Sequence, residues 1–407
     1  MVMSHSIQSL SRLDRLGFAS RHCSFANKVG RFFRRRFIQG LSAGFWEFMR
    51  ICFGESSWLD TPKGTFSLYK SLRWRDPALE GRIVLEDQGV PKISPHSIAV
   101  SCGLEQHQEQ PWPIVWTKHR NARLVANSLA LFNGKKELCL ESVYGEARWR
   151  DDPASRSLWL PKATYLKGRW TSIVSNWNPL DGSPVYGHWL HDALPRLAIL
   201  ESLPRDTRII IPSTLKPVFW ETLELLNLRD RCRPTSETHL LIEEYHFSSP
   251  TSMITCYNPY AIRWMRSSFL AKACPSFSGP KKFFFVRSGK RRAIENMAEV
   301  TDFLASRGWN VIRDMDLSFA QTVKLFSEAT DICGFSGSNM CNVMFCPPRC
   351  KVLNLVPNIP LDGFVDMIAP VVDLDYRAVE LEAGGPYAAR PRVSIDQIQE
   401  GLESAGY

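Results

Sequence analysis

The 407-residue sequence predicts an α/β protein, and three observations carry that prediction. Short β-branched or aromatic runs alternate with amphipathic runs between residues 207 and 273, and again between 282 and 357. The turn-rich stretch CPSFSGPKK at 274–282 separates the two series. A hydrophobic content of 44% beside a charged fraction of 22% belongs to a chain that buries a sizeable core. Strand and helix alternating at this spacing imply parallel strands joined by right-handed crossovers, so the second series reads as Rossmann-like.

The expected organisation is a basic arm at 1–60, an α/β domain at 61–273, a Rossmann-like domain at 274–370, and an extension with a closing helix at 371–407. In residues 1–50, nine basic side chains face two acidic ones, so this segment holds seven of the nine excess positive charges. The remainder is close to neutral and carries no nucleic-acid-reading motif, so nucleic acid is not an expected partner. Ile38, Leu41, Phe45, Phe48, Met49 and Cys52 recur at helical spacing behind the run Arg34, Arg35, Arg36. Two readings of residues 28–53 stand: an amphipathic helix on an anionic membrane surface, or a helix docked on its own domain. No apolar run of about 18 residues occurs, so no transmembrane helix is expected.

Residues 95–170 read as short strands and turns. TRIIIP at 207–212 then reads as a strand, LKPVFWETLELLNL as a helix and EEYHF at 243–247 as a strand. NPYAIRWMRSSFLAKA opens a helix with Asn258 as cap and Pro259 in its first position. In the second series KFFFVRS, WNVIRDMD, TDICGF and CKVLNLV are strands. NMAEVTDFLASRG, stopped by Gly308, and SFAQTVKLFSEA are helices, and SGSNMCNVMF is a loop running into one. Ser318 with Gln321, and Ser394 with Gln397, stand at capping-box spacing.

In such sheets ligands bind beyond the carboxyl ends of strands. Two ends carry suitable groups: RSGKRR, with Arg287, Lys290, Arg291 and Arg292, and FSGSN, with Gly334, Ser336, Gly337 and Ser338. Small residues at a helix start let backbone amides reach an anion, so the pair reads as a diphosphate cradle. A third stretch, YGHWLHDALPRL at 186–197, packs His188, Trp189, His191 and Asp192 into five positions. If 187–196 is a helix, His188, His191 and Asp192 share one face. The alternative is that His191 and Asp192 cap the helix while Trp189, Leu190 and Leu194 pack inward.

The eleven cysteines form no CxxC pair and read as reduced thiols in a cytosolic setting. Cys333, Cys341, Cys346 and Cys350 cluster, but at a spacing that fits buried small residues better than zinc ligands. The strings DMD at 314–316 and DLD at 373–375 read as turn residues rather than metal ligands.

YGHWLHDALPRL, FVRSGKRRAIENMAEV and LSFAQTVKLFSEATDICGFSGSNMCNVMFCPP, in this order, resemble the bacterial branch of glycosyltransferase family 61 over about residues 165–360. The resemblance implies a GT-B-like plan, with two Rossmann-like domains facing a cleft, and inverting transfer without a metal or other cofactor. It also implies a nucleotide-sugar donor and a capsular or exopolysaccharide, or glycolipid, acceptor at the cytoplasmic face of the membrane. Asp192 becomes the expected base, with His188 and His191 beside it, and Tyr186, Trp189 and Arg196 fall on the acceptor side. Arg287, Lys290, Arg292, Asn296, Gly334, Ser336, Gly337, Ser338 and Asn342 fall on the donor side. The chain departs from the family at Ser336, where many relatives have His in a Gly-x-His-Gly-Ala turn. That departure keeps a non-catalytic scaffold subunit open as an alternative, alongside a polysaccharide-modifying enzyme such as a pyruvyl transferase.

Overall fold

Nine strands form the first sheet: β1 (Gly64–Phe66), β2 (Glu80–Ile83), β3 (Val115–Val125), β4 (Ala130–Phe132), β5 (Glu137–Cys139), β6 (Thr164–Ser172), β7 (Arg208–Pro212), β8 (Cys232–Thr235) and β9 (His239–Ser248). The computed structural model describes residues 64–66, 80–83, 114–133, 137–144, 160–253, 256–286, 293–357, 364–382 and 391–407. The arm at 28–53 and the run holding Arg287, Lys290, Arg291 and Arg292 lie outside them.

The strand order is β1-β5-β4-β3-β9-β6-β7-β8, with β2 also paired to β3. Strands β9, β6, β7 and β8 run parallel, as expected of βαβ units. Strand β3 instead runs antiparallel to β2, β4 and β9, so this sheet is mixed rather than wholly Rossmann-like. Its eleven residues are one continuous strand where only short ones were expected. An antiparallel sheet tolerates a face turned to water, so a strand with Lys118, Arg120 and Arg123 in it is stable without a clean apolar period.

A small hairpin, β10 (Ser252–Met253) with β11 (Cys256–Tyr257), follows β9. The second sheet holds β12 (Lys282–Val286), β13 (Asn310–Arg313), β14 (Asp331–Phe335), β15 (Lys351–Pro357) and β16 (Asp375–Leu381), all parallel, in the order β13-β12-β14-β15-β16. This is a doubly wound arrangement whose strand order reverses between β12 and β14.

The helices are α1 (Pro217–Leu225), α2 (Pro259–Phe269), α3 (Met297–Ser306), α4 (Phe319–Ser327), α5 (Phe364–Val372) and α6 (Ile395–Ser404). Asn258 caps α2 by accepting from the Tyr260 amide. At α4 the reciprocal box forms, Ser318 Oγ accepting from the Gln321 amide and Gln321 Oε1 from the Ser318 amide, which stabilises the helix by about 1 kcal/mol. At α6 only half the box forms. Ser394 accepts from the Gln397 amide, but the Gln397 side chain turns to accept from the Glu382 amide and ties α6 to the end of β16.

Consecutive apolar residues in the strands serve two cores, because successive side chains leave a strand on opposite faces. Phe284 joins Val300 and Leu304 of α3 and Ile398 and Leu402 of α6. Phe283 and Phe285 join Phe319, Val323 and Phe326 of α4 and Val365 and Ile368 of α5 on the other face. That second cluster also contains Ile209 and Ile211 of β7 and Phe219 and Leu223 of α1, so one apolar core runs from the first sheet to the second. Ile210 points the other way, into a core of its own sheet. Glu221 of α1 adds a polar tie: its carboxylate accepts from the Phe319 and Ala320 amides at 2.8 and 2.9 Å, in the unsatisfied first turn of α4.

Candidate active site

The stretch 186–202 bridges β6 and β7, but it is not the uniform helix expected. It opens as an α-turn (Tyr186–His188), widens to a π-turn (Trp189–Ala193) and tightens to a 3-10 helix (Leu194–Ser202). Pro195 accounts for the break. It has no amide to give the carbonyl four residues back, that of His191. Thr251 Oγ1 fills the vacancy, donating to His191 O at 2.8 Å and reaching Asp192 O at 3.3 Å. Single π-turns of this kind concentrate at functional sites.

Asp192 is fully buried. Its carboxylate accepts from Arg196 Nη2 at 2.7 and 2.9 Å, from Arg196 Nε at 3.2 Å, from the Tyr144 hydroxyl at 2.5 Å and from the Thr251 amide at 3.1 Å. Burial is the largest influence on Arg196 and opposes its charge, but Asp192, Tyr144 and Tyr245 together outweigh it and hold the guanidinium above its ordinary value. Burial, then the Asp192 charge, push the Tyr144 phenol well up, so it stays a donor. Arg196 is 3% exposed, so its charge is spent on Asp192 and on anchoring the segment.

His188 is half-buried, its ring stacked on Trp177 at 4.4 Å between centroids. The His191 ring meets it edge to face at 4.8 Å, so these two expected neighbours do come together. His191 is itself buried, and its Nδ1 bonds Ser252 Oγ. Burial, and secondarily His188, hold its pKa well below the usual value, so it is neutral near pH 7. Trp189, expected on the acceptor side, lies wholly inside the core, its ring against Phe219 and its Nε1 donating to Thr222.

The second part of the site follows β14, next to the switch point. Gly334 is small because of Met340: a Cβ there would stand 2.5 Å from Met340 Sδ. The Ser336 amide donates to Leu355 O, extending the ladder one residue beyond the strand. A 3-10 helix, Ser338–Phe345, starts after Gly337. Asn342 fixes the turn, its Nδ2 donating to Asn339 O at 2.7 Å while its Oδ1 accepts from the Tyr186 hydroxyl at 2.9 Å. Gly187 lies so near this helix that a Cβ on it would stand 3.2 Å from Ser338 Oγ and 3.3 Å from Cys341 Sγ. The two motifs, some 150 residues apart in sequence, are therefore in direct contact.

Asn296, expected to fix loop geometry or the donor nucleotide, holds the C-terminal segment: its Nδ2 donates to Val393 O and Glu299 Oε2, and its Oδ1 accepts from the Val393 amide. Arg287, Lys290 and Arg292 depart from the end of β12, outside the described residues. Cys333, Cys341, Cys346 and Cys350 are buried thiols that form no disulfide among the described residues. Asp373 and Asp375 sit at the turn into β16, where Asp373 O accepts from the Arg349 amide. Among the described residues no three His, Cys, Asp or Glu side chains are grouped to hold a metal ion.

Tyr144, Trp177, Thr251 and Ser252 escaped the sequence reading. Tyr144 lies in the weakly patterned 95–170 stretch, and SSPTS at 248–252 carries only a turn signal. The roles of Tyr144, Thr251 and Ser252 depend on contacts across 48 to 61 residues of chain, and that of Trp177 on its ring contact with His188.

Residues 186–353 match the model of the family Glycosyltransferase 61. The chain carries a glycosyltransferase family 61 segment. That segment begins at the first residue of the composite helix and ends within β15, so it takes in both contacting motifs. Strands β1 to β6 precede it, and Tyr144, which donates to Asp192 within the matched span, belongs to that preceding part. No protein of curated function matches the chain.

Proposed function

We propose that this chain is an inverting, metal-independent glycosyltransferase on a GT-B-like plan, moving a sugar from a nucleotide donor to a polysaccharide or glycolipid precursor at the cytoplasmic face of a membrane. The observation that carries the reading is the contact of the two motifs, Tyr186 and Gly187 against Asn342 and Ser338, beside the point where strand order reverses. Inversion needs a base on the acceptor hydroxyl and positive groups or amides for the departing diphosphate, on opposite sides of the anomeric carbon. His188, half-buried beside a neutral His191, suits the base. Asp192 has its lone pairs committed to Arg196, Tyr144 and Thr251, which favours a positioning role: it holds the segment that presents His188. Residues 287–292, which follow β12 in sequence, and the amides of Gly337 and Ser338 after the adjacent strand β14 serve the diphosphate in this reading.

The test is a calorimetric screen of the purified chain against UDP-, GDP-, CMP- and dTDP-sugars, with and without EDTA. Chelator-insensitive binding of one donor class, lost in Arg287→Ala, is expected. Binding that requires a divalent ion removes the metal-independent reading. Ser336, a neutral hydroxyl where relatives have His, favours a second reading, a non-catalytic nucleotide-sugar-binding subunit. Slow donor hydrolysis without acceptor separates the two, since a scaffold shows none.

A further inference from the structure

Ser336 and Asn339 are each 5% exposed, yet Ser336 Oγ and both ends of the Asn339 amide have no hydrogen-bond partner among the described residues. Burying such atoms unpaired costs about 1–3 kcal/mol apiece, so a fold retains them where something else completes them. Backbone groups beside them do find partners: the Ser336 amide bonds Leu355 O, Gly337 O accepts from the Met340 amide, and Asn339 O accepts from Asn342. Ser338, between them in sequence, touches the turn that carries His188.

We infer that Asn339, with Ser336, grips hydroxyls of the donor's sugar ring and selects a neutral sugar. This rests on the nucleotide-sugar reading above. A vicinal pair of sugar hydroxyls offers donors and acceptors at once, and a primary amide beside a serine hydroxyl is their complement. All the unmade groups are neutral, so they suit hydroxyls better than phosphate or carboxylate, which call for cations or arrays of amides. Position agrees: the anomeric carbon must lie between the diphosphate and the base, and the turn 336–339 adjoins the base-bearing helix. An amide buried with both ends unmade discriminates strongly, because a sugar lacking the matching hydroxyl leaves it unpaired.

The experiment compares binding of UDP-glucose, UDP-N-acetylglucosamine, UDP-xylose, GDP-mannose and dTDP-rhamnose with that of UDP, GDP and dTDP, for the unaltered chain, Asn339→Leu and Ser336→Ala. For the donor that binds, Asn339→Leu is expected to weaken the nucleotide-sugar roughly ten-fold or more and to leave the bare diphosphate unchanged. Its melting temperature without ligand should hold or rise, since an apolar isostere replaces unpaired polar atoms. Equal losses for sugar-bearing and bare nucleotide, or no loss for either, overturn the inference while leaving the transferase reading in place. If no nucleotide binds the unaltered chain, the transferase reading fails and this one with it. Ser336→Ala, a smaller change, repeats the comparison should Asn339→Leu not fold.

Discussion

Asp192 and His188 stand four residues apart, and their surroundings assign them different fates on substitution. Asp192→Asn leaves the Arg196 guanidinium buried without its counter-charge, so a loss of about 3–5 kcal/mol is expected, read as a fall in the urea midpoint. His188→Ala should keep most of the stability and cut kcat by about a hundred-fold or more. A fully active His188→Ala enzyme would return the base to another residue. Buried histidines also set the acid limit. Burial, then His246, lower His119 from 6.5 to about 4. The unfolded chain takes up that proton near pH 6.5 and the native one does not. Stability is therefore complete above 6.5 and is lost as pH falls toward 4, on the order of 1–3 kcal/mol given the partial exposure of the ring. Buried His191 adds in the same direction. Urea midpoints at pH 7 and pH 4.5 measure the effect, and His119→Gln should flatten part of it.

At the scale of elements, the composite helix 186–202 depends on a hydroxyl from the turn before β10. Thr251→Val should cost about 1–3 kcal/mol by stranding the His191 carbonyl. Pro195→Ala restores the missing amide, so the double variant is expected to recover part of that loss in a double-mutant cycle. Strict additivity would show that Thr251 does not serve this vacancy. The same dependence explains what was legible in the sequence. Strands β12 to β15 and helices α3 and α4 follow from runs such as KFFFV and from local caps such as Ser318, whose partners lie within a few residues, whereas α5 and the edge strand β16 escaped the sequence reading. The π-turn does not, because its cause is split between Pro195 and a threonine 56 positions later. His188 and His191 announced themselves by type and spacing, and their rings do meet. The pairing of Asp192 with Tyr144 was hidden, since a carboxylate that serves chemistry and one that anchors a helix read alike in a sequence.

For the whole molecule, no helix among the described residues is long and apolar enough to cross a membrane. Any attachment in our reading falls to residues 28–53. Full-length chain is expected to float with vesicles containing phosphatidylserine and not with neutral ones, and to be released by salt and by reversing Arg34, Arg35 and Arg36 to Glu. Failure to co-float leaves the arm without that role. Within the described residues the two sheets share one apolar core, and Tyr186 and Gly187 meet Asn342 and Ser338. That contact constrains how the two halves of this chain can be exchanged. Side chains on either side of it must suit each other to a few tenths of an ångström, so a change at Tyr186 or Gly187 is expected to need a matching change at Ser338 or Asn342. A chimera spliced between residues 202 and 282, with halves drawn from two family 61 enzymes, will work only when both parents carry the same set at those four positions.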